Sequence, residues 1–433
     1  MAEMSTVEMQ IAERSRKYPG EALTNLHQFI DEPMLHMSFA TLNKQSASGV
    51  DGETWKAYNE QRSVRIAQLL MAFKSGKYRA PLIRRVYIPK NDGKQQRPLG
   101  LPTIEDKLLQ TAVTKVLSPI YEQIFYPSSY GFRRGKSQHQ ALEVLFKEVS
   151  FEGMHYIIDA DMKNYFGSID HQCLREFLDL RIKDGVIRKM IDKWLKAGVL
   201  ENGQVEYPDE GTPQGGSISP LLSNIYLHYV LDEWFIGQIQ PMLKGRSFII
   251  RFADDFLLGF THKEDAMRVM KVLPKRLSKY GLTLHPEKTK LINLREDEGD
   301  EPKTFDFLGF THYMGMSRKG KRILKRKTSS KKLNASLKRM SEWIKLNRHK
   351  LSMPLLIAEL NQKLRGHYAY YGMTFNTRRL NSYYYQTKRL LHNWLNHRGG
   401  KRVWTWEKIK KLTEEWLPLA KPRIYHSRLL AKP

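Results

Sequence analysis

The tetrapeptide Phe252-Ala253-Asp254-Asp255 constrains this chain more than any other feature. It interrupts an apolar stretch, with Phe248-Ile249-Ile250-Arg251 before it and Phe256-Leu257-Leu258 after it. The flanks read as buried β-strand, so two adjacent carboxylates sit where charge is costly. An unpaired buried charge costs several kcal/mol or shifts its pKa until it is neutral. A bound cation is the usual remedy, and hard ions such as Mg²⁺ prefer carboxylate oxygens supplemented by substrate phosphates. The segment therefore points to metal-dependent phosphoryl transfer.

The rest of the composition narrows the substrate. The 433 residues carry 72 Lys and Arg against 45 Asp and Glu, a formal net charge of +27. So large an excess implies a polyanionic partner, nucleic acid before an anionic membrane surface. At 41% hydrophobic residues the chain is globular and long enough for roughly two to four domains. It has no run of about 18 apolar residues to span a membrane. Met1 to Gly20 lacks the apolar core of a signal peptide. Cys173 is the only cysteine, which excludes a disulfide framework and a Cys-type zinc site. A soluble, cytoplasmic protein is the expectation.

Local signals divide the chain. Residues 1–40 read as short helices of mixed charge. Arg84 to Pro89 and Arg97 to Gly100 flank Asn91-Asp92-Gly93, predicting a β-hairpin with basic residues at both ends. Tyr156-Ile157-Ile158 runs into Asp159-Ala160-Asp161 as a second strand ending in carboxylates. Asp170 predicts an N-cap for a helix over His171–Leu180, and Ser219-Pro220 opens another whose apolar residues include Leu222, Ile225, Val230 and Trp234. Residues 318–350 hold fourteen Lys or Arg and one acid, Glu342. Leu333, Leu337, Met340, Ile344 and Leu346 give that segment a helical apolar stripe. Beyond residue 361, basic and aromatic residues interleave, as in Tyr368-Ala369-Tyr370-Tyr371 and Trp404-Thr405-Trp406. Such a surface suits stacking on unpaired bases, and core packing between helices explains the same pattern equally well.

Two strand ends bearing Asp161 and Asp254 could bridge a pair of metal ions about 3.5–4 Å apart. A helix cap or strand-end turn is the bland alternative for Asp161, and an exposed turn for Asp254-Asp255. Asp159 shares a strand face with Asp161 and is read as a supporting or exposed residue.

These residues fall within a longer series. Ser48-Gly49-Val50-Asp51-Gly52, Arg97 to Pro102 and Tyr130 to Gly135 are followed by Asp161 to Phe166 with Ile169-Asp170-His171. Gly211-Thr212-Pro213-Gln214-Gly215-Gly216 with Ser219-Pro220-Leu221 comes next, then Phe252 to Asp255, Leu284 to Lys290, Phe307 to Phe310, and Leu364 to Tyr368. In this order they resemble a group II intron reverse transcriptase, or intron-encoded maturase, over roughly residues 40 to 425. The resemblance implies an α+β right-hand polymerase: fingers over 41–158, an antiparallel-sheet palm over 159–315 and a helical thumb over 316–395. Residues 1–40 would be an extension, and 396–433 a basic helical segment that binds nucleic acid.

The resemblance also implies roles. Asp161, Asp254 and Asp255 would be catalytic and would ligate two Mg²⁺ ions, for which Mn²⁺ could substitute, with the Met162 carbonyl completing one site. Phe166, five residues after Asp161, would bar a ribose 2′-hydroxyl. Gln214 would contact the incoming deoxynucleotide, with Gly215 permitting close backbone approach. Lys90 and Arg97 would grip its triphosphate. Lys288 would protonate pyrophosphate, with Lys290 competing for that role. RNA template and DNA or RNA primer would be the partners. Phe252 replaces the family's usual Tyr and keeps the ring. The Cys-rich nuclease domain of many relatives is expected to be missing. A splicing cofactor in which polymerisation is secondary, and a domesticated enzyme of defence, repair or diversity generation, stay open as alternatives.

Overall fold

The computed structural model describes residues 5–89, 96–201, 203–207, 209–212, 215–295, 303–397 and 403–426. The chain divides into two compact units. The first holds residues 1–145 and 153–291, the second residues 146–152 and 292–433.

The first unit opens on helices α1 (Thr6–Lys17), α2 (Glu32–Thr41), α3 (Trp55–Glu60) and α4 (Arg62–Lys74). A capping box at Ser5 and Glu8 starts α1, and the Asp31 and Thr54 side chains cap α2 and α3. Strands β1 (Ile83–Pro89) and β2 (Gln96–Leu101) then form the anticipated antiparallel hairpin, from Arg84↔Leu101 to Pro89↔Gln96. Its turn lies outside the described residues. Helix α5 (Ile104–Tyr121) is buried along most of its length, and the polar residues Asp106, Lys107 and Gln110 are buried with its apolar ones. Helix α6 (Gln138–Phe151) leads to β3 (Tyr156–Ala160) and the short β4 (Met162–Lys163).

Helix α7 (His171–Asp179) begins where Asp170 Oδ1 accepts the Cys173 amide at 2.6 Å, as the N-cap reading requires. Cys173 is half-buried on that helix. Helix α8 (Gly185–Leu195), strands β5 (Val199–Glu201) and β6 (Gln204–Glu206), and α9 (Ser219–Leu227) follow. The last continues as wide π-helical turns through Val230 and Trp234, and all four predicted apolar residues are buried. Strands β7 (Ser247–Phe252) and β8 (Asp255–Phe260), helix α10 (Lys263–Ser278), β9 (Thr283–Leu284) and β10 (Lys290–Asn293) complete this part of the chain.

Sheet order is β2-β1-β5-β6 in one sheet and β10-β3-β8-β7 in another, with β4 paired to β9. β8 is antiparallel to both neighbours. Ile249, Ile250, Phe256, Leu257, Leu258 and Phe260 are buried, so this sheet is covered on both faces.

The second unit contains the antiparallel sheet β11-β12-β13 (Thr304–Phe307, Phe310–Met316, Arg322–Thr328). Helices α11 (Ser330–Asn347), α12 (Met353–Tyr371), α13 (Thr377–Asn396) and α14 (Trp406–Lys411) follow. Leu333, Met340 and Ile344 of the predicted stripe are buried, whereas Leu346 is 63% exposed. Leu346 falls two residues after Ile344, about 200° around the helix, and so faces solvent. Tyr368, Tyr383 and Tyr384 pack in the core of this unit, while Trp406 is exposed and stacks on His392 at 4.1 Å. Among the described residues no helix is long and apolar enough to cross a membrane.

One buried acid ties α5 to α8. Asp106 Oδ1 accepts from the Tyr78 hydroxyl at 3.0 Å and from Trp194 Nε1 at 2.8 Å. Burial nonetheless pushes its pKa up to about 7. The folded state therefore holds a proton that the unfolded state releases near pH 4. Stability from this group is complete below that pH and declines as pH rises towards 7. Asp106→Asn is expected to gain on the wild type in urea midpoint between pH 5 and pH 8. An unchanged difference between the two proteins would show that Asp106 ionises without penalty.

Candidate active site

The carboxylates lie on a tight hairpin. β7 and β8 pair from Ser247↔Phe260 to Phe252↔Asp255, leaving Ala253 and Asp254 as the two turn residues. Ala253 has φ +58°, and Asp254 is not among the positive-φ residues. That pattern belongs to a type II′ turn, whose first central position favours glycine. An alanine there costs about 1–2 kcal/mol, so its surroundings must impose the conformation.

A buried polar clamp does so. Arg251, fully buried on β7, donates Nε to Asp232 Oδ1 at 2.9 Å and Nη2 to Asp232 Oδ2 at 2.6 Å. Its Nη1 donates to Asn224 Oδ1 at 2.9 Å and to the Ala253 carbonyl at 3.2 Å. Asn224 Nδ2 in turn donates to the Gly131 carbonyl at 2.8 Å. Gly131 lies against the turn so closely that a Cβ on it would stand 2.3 Å from the Ala253 nitrogen. Backbone bonds from Arg251 to the Ser128 carbonyl and from Tyr130 to the Arg251 carbonyl, at 2.9 and 2.8 Å, fasten the Tyr130-Gly131 loop to the edge of β7. Within the same loop Arg133 forks onto Glu122 and the Tyr126 and Ser129 carbonyls, so it shapes the loop.

Asp161 joins this turn through sheet register. β3 pairs with β8 from Tyr156↔Phe260 to Ala160↔Phe256, and Asp161 follows directly after that last pair. Burial raises the Asp254 pKa, the negative charge of Asp161 raises it further, and Arg97 and Arg251 oppose the shift. The two carboxylates thus share one electrostatic neighbourhood. Asp255 is exposed at the start of β8. Lys288 Nζ sits 2.5 Å from Asp161 Oδ2, so an ammonium neutralises that carboxylate directly. Met162 is buried on β4 opposite Leu284, and the Asp161 carbonyl accepts the His285 amide at 2.7 Å. The His285–Lys290 segment is thereby drawn to Asp161. Asp159 pairs opposite Leu257 one strand step further in and is half-buried.

The described residues contain no ready group of three metal-ligating side chains. Mg²⁺ is commonly held by one or two carboxylates with substrate phosphates and waters. Asp161 and Asp254, two acids whose charges interact and one of which already carries a cationic partner, fit that mode.

Phe166 lies in a 3₁₀ turn (Tyr165–Gly167) and packs partly on the core. Its carbonyl accepts the Thr212 amide at 2.8 Å, the Ile169 carbonyl accepts the Gly211 amide at 2.8 Å, and His171 Nε2 lies 2.6 Å from the Gly211 carbonyl. The Gly211-Thr212 loop is therefore docked beside Phe166. Gly215 has φ +125°, and a Cβ on it would stand 2.3 Å from the Gly100 carbonyl on β2. Only glycine permits this approach, which brings the loop to the strand carrying Arg97. Arg97 is exposed on β2 opposite Ile88. Lys90 and Gln214 lie outside the described residues.

Three residues that sequence reasoning passed over are central here: Arg251, Asp232 and Asn224. The available signal was an arginine inside an otherwise apolar strand. Phe132, next to Gly131, is held at φ +56° and is 60% exposed. An aromatic ring in solvent on a left-handed residue is a signal visible only once the backbone is known.

Comparison with known proteins gives the family. The profile of the reverse transcriptase (RNA-dependent DNA polymerase) family matches residues 88–312, just over half of the chain. The chain belongs to that family. It is similar to the group II intron-encoded protein LtrA of Lactococcus lactis subsp. cremoris, at 38% identity over 242 residues. That match spans 55% of this chain and 39% of the relative. It is also similar to protein YkfC of Escherichia coli K12, at 30% identity over 73% of this chain and 90% of the relative. An uncharacterized 91 kDa protein in a cob intron of Schizosaccharomyces pombe matches at 26% over 87% of this chain and 54% of the relative.

Arg251→Met removes one partner of a pair that is 0% exposed on both sides. The stranded Asp232 carboxylate should then destabilise the fold by about 3–5 kcal/mol, read from urea unfolding. Gly131→Ala should displace the Ala253 turn and lower activity more than stability; normal activity in that variant would mean the contact can relax.

Proposed function

We propose that this chain is an RNA-directed DNA polymerase of the group II intron type, adding deoxynucleotides to a primer 3′-hydroxyl on an RNA template. The observation that carries the reading is the clamped turn that presents Asp254 next to Asp161, with the Phe166 and Gly211-Thr212 elements docked to each other nearby. In this reading residues 41–158 are the fingers, 159–315 the palm, 316–395 the thumb, and 396–433 a nucleic-acid-binding segment.

Asp161 and Asp254 would hold Mg²⁺, with Asp255 and the Met162 carbonyl alongside. When bound, the metal ions would lower the pKa of the attacking hydroxyl and neutralise the leaving pyrophosphate. Lys288, an ammonium at Asp161, is in reach to meet phosphate charge and to donate a proton to the leaving group. Arg97 would pair with triphosphate oxygens through parallel N–H donors. Phe166, beside the loop that precedes Gln214 and Gly215, would occupy the space a ribose 2′-hydroxyl needs. Phe132 would offer a face on which a template base stacks.

A maturase role has its own support. LtrA is named as an intron-encoded protein, and the second unit of this chain carries the basic segment 318–350. Binding to folded intron RNA would use those residues and leave Asp254 free of that task.

Primer extension on an RNA template with Mg²⁺ and deoxynucleotides tests the main reading. Asp254→Ala should abolish extension, and EDTA should do the same to the wild type. Retained extension in Asp254→Ala would remove the catalytic assignment. Phe166→Ala should raise ribonucleotide incorporation relative to deoxynucleotide by roughly tenfold or more. An unchanged ratio would leave Phe166 as a packing residue.

A further inference from the structure

Two helices of the second unit turn matching stripes towards one cavity of about 520 Å³. Ser336, Arg339, Met340 and Trp343 come from α11, and Lys363, Gly366, His367 and Tyr370 come from α12. Both sets follow the i, i+3, i+4, i+7 spacing of a single helix face. Stripes that face each other in a helical core are normally apolar. These carry two cations, aromatic rings and a glycine, with Tyr371 and the buried Tyr383 closing the cavity and no acid among the lining residues.

The interior is built in detail. His367 stacks on Tyr383 with ring centroids 3.7 Å apart and planes 14° apart, which fixes the imidazole. Its Nε2 is shielded from solvent and finds no hydrogen-bond partner among the described residues. Burial, and then the charge of Arg339, lower the His367 pKa to about 4, so the ring is neutral at physiological pH. A neutral imidazole can donate or accept at that nitrogen. Lys363 Nζ lies 4.6 Å from the Trp343 ring centroid, and Arg339 Nη2 donates to the Ser336 hydroxyl at 3.2 Å. Gly366 sits in the middle of α12, where glycine costs roughly 1 kcal/mol relative to alanine. A Cβ there would meet no atom within 4 Å, so packing does not demand the glycine.

A flat aromatic group with a hydrogen-bonding edge and an attached phosphate matches all of these features. Trp343 and Tyr370 offer faces for the ring, His367 Nε2 meets its edge, and Arg339 and Lys363 meet the phosphate. We propose that this cavity receives an unpaired nucleobase extruded from RNA, separate from the Asp161–Asp254 centre. The inference rests on the reading of the chain as an RNA-binding enzyme, and it concerns thumb residues to which that reading gives no individual role.

The test uses the full chain and a short single-stranded RNA bearing 2-aminopurine at one position, with an abasic residue at the same position as control. Wild type should quench the probe and bind the abasic RNA more weakly. Gly366→Leu fills the cavity from a position with open space and should weaken binding of the base-bearing RNA by roughly tenfold, leaving the melting temperature unchanged or higher. Trp343→Ala should lose the quench as well. Equal affinity for the abasic RNA, or unchanged binding by Gly366→Leu, would overturn the proposal and leave a phosphate groove or a protein segment as the occupant. Primer extension by Asp254→Ala is read independently, so failure here and failure of the polymerase reading are distinguishable.

Discussion

The ion pair between Arg251 and Asp232 holds the Ala253-Asp254 turn in place. Both side chains are removed from water, so their attraction must offset a large desolvation cost. It does so through two parallel N–H···O bonds, with the Nη1 donors going to Asn224 and to the Ala253 carbonyl. A hydrophobic pair of the same volume would fill the space as well, and it would not reach the turn. The polar pair couples three separate stretches of chain, around residues 130, 224–232 and 251–254, at a point where backbone strain has to be maintained.

Glycines supply the other half of that arrangement. Gly131 and Gly215 each stand where any side chain would collide with backbone, one against Ala253 and the other against Gly100. The first contact seats a loop under the β7–β8 hairpin, and the second brings Gly215 to the basic β1–β2 hairpin. Close backbone approach is thus the common device by which distant motifs meet. A hydrogen-bonded clamp then fixes one of the two contacts.

Much of this was legible in the sequence. Alternation and flanking turn residues gave both strands of the β1–β2 hairpin, and Asp170 and Ser219-Pro220 marked helix starts because caps are local chemistry. The paired carboxylates stood out because charge inside an apolar strand is rare. Partners distant in sequence were not legible: nothing local in Asp232 or Asn224 says that they meet Arg251, and Lys288 gives no sign of its bond to Asp161. Leu346 shows the limit of periodicity near a helix end. One residue of drift moved it from core to solvent. The aromatic run beyond residue 361 stayed ambiguous because the same spacing serves a core and an exposed surface: the structure buries Tyr368, Tyr383 and Tyr384 and leaves Tyr385 and Trp406 exposed.

The chain's charge is spread in two very different dielectric settings. Most lysines and arginines of residues 318–350 are exposed or half-buried, where mobile counterions screen them as salt is added. Arg251 and Asp232 lie where no counterion can enter, so their attraction is hardly screened. Ionic strength therefore acts on one set of charges at a time: it screens the exposed cations and leaves the Arg251–Asp232 pair, with the Ala253-Asp254 turn it holds, as it was.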